Sequence, residues 1–263
     1  MKTPLSDLHI LSIYRVSGQR VLLPKRMARC TPDTKRAILA IEADVAAAGG
    51  HLYLSDLFRS HDMQFQAYLD WKTGKKKAYS PPPGGSLHEA GRAFDLDLGG
   101  LKVKLDAFWE MAARHGVVPI IPSPNPRASE AWHFERRGSH QLVYDYYHAG
   151  KGTNFASPYR ALAASAILAI GEPLDLFEGR EDAAYAQSAL IRLGQEIGNI
   201  DGQIGPRSRK GLAALGVSEG PLPEVIAALD TLLQARFPEE FYDKTPLDAA
   251  DPFDHARPEA LVA

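Results

Sequence analysis

Four residues of this chain have the types and spacing of a catalytic metal site. His88 and Asp95 stand in one short segment, and Glu130 and His133 follow later in another. Two imidazoles and one carboxylate are a common ligand set for a zinc ion that keeps its fourth position open for water. Glu130, three residues before the last histidine, would serve that water as a general base. The pattern therefore predicts metal-assisted hydrolysis.

The helical zinc motif H-E-x-x-H is not present at His88, because Arg92 stands where its second histidine would be. We therefore expect a site assembled from a loop and two strands. Gly91 permits a sharp backbone path between His88 and Asp95. Asp97 is a rival ligand or a supporting partner, and it ranks second because a two-residue strand step moves it about 6.5 to 7 Å away.

Two short strands are predicted to position these side chains. Residues 93–98 alternate between apolar and acidic or small residues, which predicts a strand that turns Asp95 away from the core. A second strand, at about 132–136, puts His133 and Glu135 on the same face. Helical periodicity is expected in the segments 33–48, 64–71, 103–115, 139–148 and 158–170, and a further strand at about 51–58.

Composition limits the function classes. The chain has 263 residues, of which 45% are hydrophobic, enough for a catalytic domain and a small accessory domain. The 30 basic and 32 acidic residues give a net charge of -2, so nothing predicts nucleic-acid binding. The single cysteine, Cys30, excludes an internal disulfide. No secretory signal or membrane span is recognised, which predicts a protein made in the cytoplasm. We expect it to be a monomer.

The two segments also carry a family resemblance. The pattern S-x-H-x-x-G-x-A-x-D from Ser86, followed by E-x-W-H from Glu130, resembles the signature of zinc D-alanyl-D-alanine peptidases and the related peptidoglycan L-alanyl-D-glutamate peptidases. This group includes the vancomycin-resistance carboxypeptidases, and the resemblance covers about residues 35–148. It implies that one zinc ion is bound by three ligands and that Glu130 is the catalytic base. The implied ligands are His88, Asp95 and His133.

The same family has an Arg-Ser pair at a strand end, followed by glutamine, and the segment from Arg59 to Gln64 is similar to it. The resemblance makes Arg59 a catalytic residue, and its permanent charge suits an oxyanion that develops on an amide carbonyl. It also implies substrate-binding roles for Ser86, Gln64 and Trp132.

A second resemblance lies in residues 182–215, which are similar to the small three-helix peptidoglycan-binding module. Its pattern is a helix with Gln-x-x-Leu, here starting at Gln187, and an Asp-Gly turn, here at Asp201, followed by a helix beginning near Pro206. Ser208 stands where the module has threonine. A third helix is expected from about 222 to 235.

These inferences predict an α+β fold, in which a small antiparallel sheet with flanking helices carries the zinc site and a small all-α domain of three helices follows. The predicted boundaries are a catalytic domain at 1–155, a helical connector at 156–178, a peptidoglycan-binding-like domain at 179–240 and an irregular tail at 241–263.

The resemblance implies a zinc-dependent peptidase that hydrolyses peptidoglycan stem peptides, as a D,D-carboxypeptidase or an endopeptidase, with stem peptides and wall glycan as its partners. Three alternatives stay open: an L-alanyl-D-glutamate endopeptidase of the phage endolysin type, a noncatalytic peptidoglycan-binding protein, and a cytoplasmic D-Ala-D-Ala dipeptidase. A wall-acting enzyme without an export segment would reach its substrate in the periplasm or outside the cell after release by lysis.

Overall fold

The computed structural model describes residues 2–243, in which a mixed sheet is followed by a cluster of helices. The strands are β1 Ser6–Asp7, β2 Leu11–Val16, β3 Gln19–Leu22, β4 Arg29–Cys30, β5 Leu54–Asp56, β6 Ala93–Leu96, β7 Val118–Pro119 and β8 His133–Glu135. The α-helices are α1 Pro32–Ala47, α2 His61–Lys72, α3 Leu105–Arg114, α4 Gln141–His148, α5 Pro158–Ile170, α6 Glu181–Arg192, α7 Pro206–Ala214 and α8 Leu222–Arg236. The predicted irregular tail, 241–263, lies outside the described residues from residue 244 onward.

Six strands form one sheet in the order β3-β2-β5-β6-β8-β7, and β1 pairs with β4 in a separate ribbon. Neighbouring strands of the sheet are antiparallel except β2 and β5, which are parallel. The predicted α+β class, with a small sheet and flanking helices, is confirmed. The sheet was predicted to be antiparallel, and β2 with β5 is its one parallel pair among the described residues.

Strands β6 and β8 carry two of the predicted metal ligands, Asp95 and His133. Asp95 of β6 lies opposite His133 of β8 in the ladder, and Phe94 lies opposite Phe134. Successive side chains on a strand point to opposite faces, so both phenylalanines enter the core while the aspartate and the histidine share the other face. Phe108 of α3 packs edge-on against Phe134, with ring centroids 4.9 Å apart. The phenylalanines next to Asp95 and His133 thus fix the strands of these two predicted ligands to the core.

Two hydrophobic clusters stabilise the described residues. The first lies between the sheet and the helices α1 and α3. The second joins α4 to the four helices that follow it, and it also contains Leu87 and Ala90, the neighbours of His88. The helical part therefore packs directly against the segment that carries one predicted ligand.

Gln187 of α6 holds the predicted Asp-Gly turn. Its side-chain oxygen accepts hydrogen bonds from the backbone N–H groups of Asp201 (2.9 Å) and Gly202 (2.8 Å), and its amide donates to the Asp201 carboxylate at 2.8 Å. Gly202 has φ +72°, and a Cβ there would lie 2.8 Å from the Cβ of Arg180. Glutamine and glycine are thus needed at these positions for the turn itself. None of the helices within residues 2–243 has the length and apolar character required to cross a bilayer.

Candidate metal centre

His88, Asp95 and His133 come together on the face of the sheet opposite the phenylalanine core. One potential ligand atom from each lies within 4.8 Å of the other two. Asp95 Oδ1 is 3.4 Å from His88 Nε2 and 2.9 Å from His133 Nδ1. Ligands bound at about 2.0 to 2.2 Å around a tetrahedral zinc lie roughly 3.4 Å apart. The three side chains therefore have the spacing of a metal-binding group.

The orientation of His88 fits a metal ligand. It stands in a 3-10 turn, Leu87–Ala90, that Gly91 ends in the left-handed conformation with φ +61°. Its Nδ1 contacts the carbonyl oxygen of Leu57 at 2.7 Å and donates to it, because a carbonyl can only accept. Nε2 then carries the lone pair, and this atom is buried without a hydrogen-bond partner. Metal-binding histidines commonly fix their second nitrogen in this way.

The three groups form a coupled cluster. Burial opposes ionisation of Asp95, but the imidazoles of His88 and His133 hold the pKa of its carboxyl well below the usual range. Burial also lowers the pKa of His133, yet hydrogen bonds with Asp95 and Glu135 outweigh this effect and raise it to about 10. The cluster thus favours a positive charge between its members, which a divalent cation would supply.

Glu130 stands just before β8 in a strained conformation. Its φ of +67° lies in the left-handed region, which non-glycine residues enter at a cost of roughly 1 to 3 kcal/mol. Residues strained in this way are concentrated at functional sites. Its carbonyl oxygen accepts a hydrogen bond from the backbone N–H of His133 at 3.0 Å, closing a tight turn. Oε1 is buried without a hydrogen-bond partner, and burial raises the pKa of the carboxyl. This carboxylate is available to a proton or a water.

Arg59 is held rigidly beside the cluster. Its Nε donates to Asp56 Oδ2 at 2.6 Å, its NH1 donates to Gln64 Oε1 at 3.1 Å, and its NH2 lies 3.5 Å from Asp95 Oδ2. Gln64 is fully buried, and its amide donates to Ser80 Oγ at 3.2 Å. Both ends of Gln64 are therefore used within the protein, and its contact with the site runs through Arg59.

Ser86 and Glu89 form a capping box around the His88 turn. The Ser86 hydroxyl accepts a hydrogen bond from the His88 backbone N–H at 3.3 Å, and Glu89 accepts one from the Ser86 N–H at 3.2 Å. Burial raises the pKa of Glu89 to about 7, although backbone N–H groups of the loop oppose the shift. Ser86 thus shapes the loop that holds His88.

One cavity of about 490 Å³ contains the cluster. It is lined by all the site residues named from the sequence except Gln64, that is by Arg59, Ser86, His88, Asp95, Glu130, Trp132 and His133. The rival ligand Asp97 lies elsewhere, where its carboxylate pairs with Arg20 at 2.9 Å. Asp97 does not share the site of Asp95, because β6 ends at Leu96 and Asp97 already belongs to the following turn.

Several other residues of the cavity wall were not among the site residues predicted from the sequence. Lys76 comes from the loop after α2, Arg137 follows β8, and Tyr159 and Arg160 come from the first turn of α5. Glu135 lies behind the wall, fully buried and in contact with His133. Only Glu135 had a local signal, since it shares the strand face of His133.

No family model and no curated protein sequence matches the chain. Among solved structures, the LdcB LD-carboxypeptidase is similar over 50% of this chain and 66% of its own, with 17% identity and a TM-score of 0.38. DacB from Streptococcus pneumoniae D39 is similar over 52% of this chain and 85% of its own, with 21% identity and a TM-score of 0.35. The vancomycin-resistance D,D-pentapeptidase VanY, in complex with Zn(II), is similar over 55% of this chain and 86% of its own, with 17% identity and a TM-score of 0.32.

Proposed function

We propose that this protein is a zinc-dependent peptidase that hydrolyses peptide bonds in peptidoglycan stem peptides. One observation carries the proposal: His88, Asp95 and His133 have the spacing of metal ligands, in a cavity that also holds the unpaired carboxylate oxygen of Glu130. The sequence pattern around these residues is that of peptidoglycan peptidases, which supports the choice of substrate.

The ligands offer two imidazole nitrogens and one carboxylate, the donor set of a catalytic zinc with an open position. When bound there, zinc would supply Lewis acidity to a substrate carbonyl and acidity to a water. Glu130 would accept the proton of the attacking water and return it to the leaving amine, acting first as base and then as acid. Arg59, fixed by Asp56 and Gln64, would donate hydrogen bonds to the developing oxyanion without reorganising.

The walls of the cavity favour an acidic peptide. Neither the Lys76 ammonium nor the Arg160 guanidinium has an ion-pair partner within the described part of the chain, and both line the cavity. Trp132 and Tyr79 add aromatic surface, and Ser86 adds a hydroxyl. Stem peptides carry free carboxylates, which two unpaired cations would attract.

We predict that Arg160→Gln raises KM for a stem peptide with a free terminal carboxylate by about 3- to 10-fold, roughly the 1 kcal/mol of a partly exposed charge pair. The value of kcat should change little, because Arg160 is not among the groups assigned to the chemistry. Steady-state kinetics with the acid and with its C-terminal amide would measure this effect. The amide should respond much less, and the exposed Arg26→Gln should leave both substrates unaffected. Equal KM changes for acid and amide would contradict a carboxylate contact.

Defined peptides and muropeptides identify the bond that is cleaved. Zinc-loaded protein is incubated with stem pentapeptides that end in D-Ala-D-Ala, with tetrapeptides that end in an L,D bond, and with muropeptides that retain the L-Ala-D-Glu bond. Release of terminal D-alanine would support the carboxypeptidase, and cleavage inside the stem would support the endopeptidase alternatives. A chain that hydrolyses none of these substrates would contradict the proposal.

Wall binding by the helical part is a second proposal. An open groove of about 640 Å³ lies beside the Asp-Gly turn, with the polar side chains of Asn199, Gln203 and Arg207 along it. The amide and guanidinium groups of these side chains suit the hydroxyl and acetamido groups of wall glycan. Co-sedimentation of the full chain with insoluble peptidoglycan tests this proposal, and failure to sediment would contradict it.

A further inference from the structure

Glu135 is a fully buried carboxylate directly behind the metal centre. It accepts hydrogen bonds from three side chains: His133 Nε2 at 3.2 Å, Arg137 Nε at 2.7 Å and the Tyr159 hydroxyl at 2.5 Å. A buried carboxylate is stable only when such donors satisfy its oxygens. The three donors together fix where the carboxylate can lie.

This arrangement determines how His133 presents its ring. A carboxylate can only accept, so the imidazole nitrogen that contacts Glu135 carries a proton. The other nitrogen, Nδ1, donates to the Asp95 carboxylate at 2.9 Å, and it is the atom that would exchange its proton for a metal while Nε2–H stays on Glu135. Carboxylates that orient a metal-binding histidine in this way typically contribute 10- to 100-fold to metal affinity.

Tyr159 brings the helical part of the chain into this contact. It stands in the first turn of α5, which Ser157 caps by accepting a hydrogen bond from the Arg160 N–H. The rest of α5 is buried among α4, α6 and the 3-10 turn that carries His88. The same helix therefore packs behind the turn of His88 and donates, through Tyr159, to the carboxylate that contacts His133.

We propose that Tyr159, acting through Glu135, is a positioning residue for His133, so that helix α5 helps to set the metal affinity of the site. This inference rests on the proposed function, because it requires that the cluster bind zinc. It goes further by making α5, which the sequence pattern treats as a connector, a part of the catalytic unit.

The test compares zinc affinity of Tyr159→Phe with that of the wild-type full chain, by competition with a chromogenic chelator. Loss of the hydroxyl is expected to weaken zinc binding by about 3- to 10-fold, less than the roughly 10- to 100-fold typical of losing the carboxylate that contacts the histidine itself. Cobalt(II) replaces zinc in a second measurement, and its visible absorption bands should shift, since they report ligand geometry. Tyr147→Phe is the matched control, because its buried hydroxyl also lies in the helical part but bonds to Asn154 and to the N–H of Ile200, away from the metal centre. That variant should lose stability without losing zinc.

Three outcomes distinguish the claims. Tight zinc binding by the wild type and unchanged affinity in Tyr159→Phe would overturn this inference and leave the proposed function standing. Absence of stoichiometric zinc binding in the wild type would overturn both. If Tyr159→Phe does not fold by circular dichroism, Glu135→Gln takes its place, because it keeps the shape of the side chain while removing the charge. Unchanged zinc affinity in that variant would equally overturn the inference.

Discussion

Replacing Glu130 by glutamine is expected to lower peptide turnover by about 10²- to 10⁴-fold while zinc stays bound. Glutamine keeps the size of the side chain but cannot accept the proton of the attacking water. The substitution leaves the three potential ligands untouched, and residue 130 keeps the same strained backbone, with φ +67°. The measurements are kcat/KM on a synthetic stem peptide and the zinc content of the purified protein.

His133→Ala provides the contrast for this prediction. It removes one of three ligand side chains, so zinc affinity should fall together with activity, and by more than the roughly 10- to 100-fold that an outer contact contributes. Wild-type turnover in Glu130→Gln would show that Glu130 is not the catalytic base. Loss of zinc from Glu130→Gln would show that Glu130 is a metal ligand instead.

The second large effect is expected on stability, at Glu240. This carboxylate is fully buried, and it joins the sheet part of the chain to the helical part. Its Oε2 lies 2.6 Å from Arg192 NH2 of α6 and 3.4 Å from Arg92 NH2, beside strand β6. Its Oε1 accepts a hydrogen bond from the Ser139 N–H at 2.6 Å. Both arginine side chains are wholly buried.

Glu240→Ala should lower the free energy of unfolding by about 3 to 5 kcal/mol, because it leaves a buried arginine charge without its partner. Arg92 keeps Asp33, at 2.9 Å, so the loss falls mainly on Arg192. Equilibrium unfolding in urea measures the change. The neighbouring Glu239→Ala is the control and should stay within about 1 kcal/mol of wild type, since that side chain is only partly buried. Equal effects from the two substitutions would contradict the role given to the buried pair.

The local parts of the site could be predicted from the sequence. The period-two alternation around Asp95 and His133 indicated two strands that turn both side chains to one face, and the ladder pairs these residues directly. Gly91 was expected at a sharp turn and has a left-handed backbone. The helices α5, α7 and α8 begin at or near the predicted residues, because proline at a first turn and glycine after a last turn are local signals.

The rest depends on contacts between distant segments. Tyr159 reaches Glu135 only because α5 packs behind β8, and no local pattern specifies that packing. The resemblance gave Gln64 a substrate contact, whereas its amide is used to hold Arg59 and Ser80. The hairpin of β2 and β3 was not among the predicted elements, although its Ser17-Gly18 turn has both residues at positive φ, as tight hairpin turns require.

The central claim is that the cluster of His88, Asp95 and His133, with Glu130, hydrolyses stem peptides. Mass spectrometry of purified muropeptides, digested with zinc-loaded wild-type protein and with Glu130→Gln, tests it most directly. We predict stem peptides cleaved at one defined bond by the wild type, each cleavage adding one water to the summed product masses, and intact muropeptides with Glu130→Gln. Muropeptides left intact by the zinc-loaded wild type, or cleaved equally by both proteins, would contradict it.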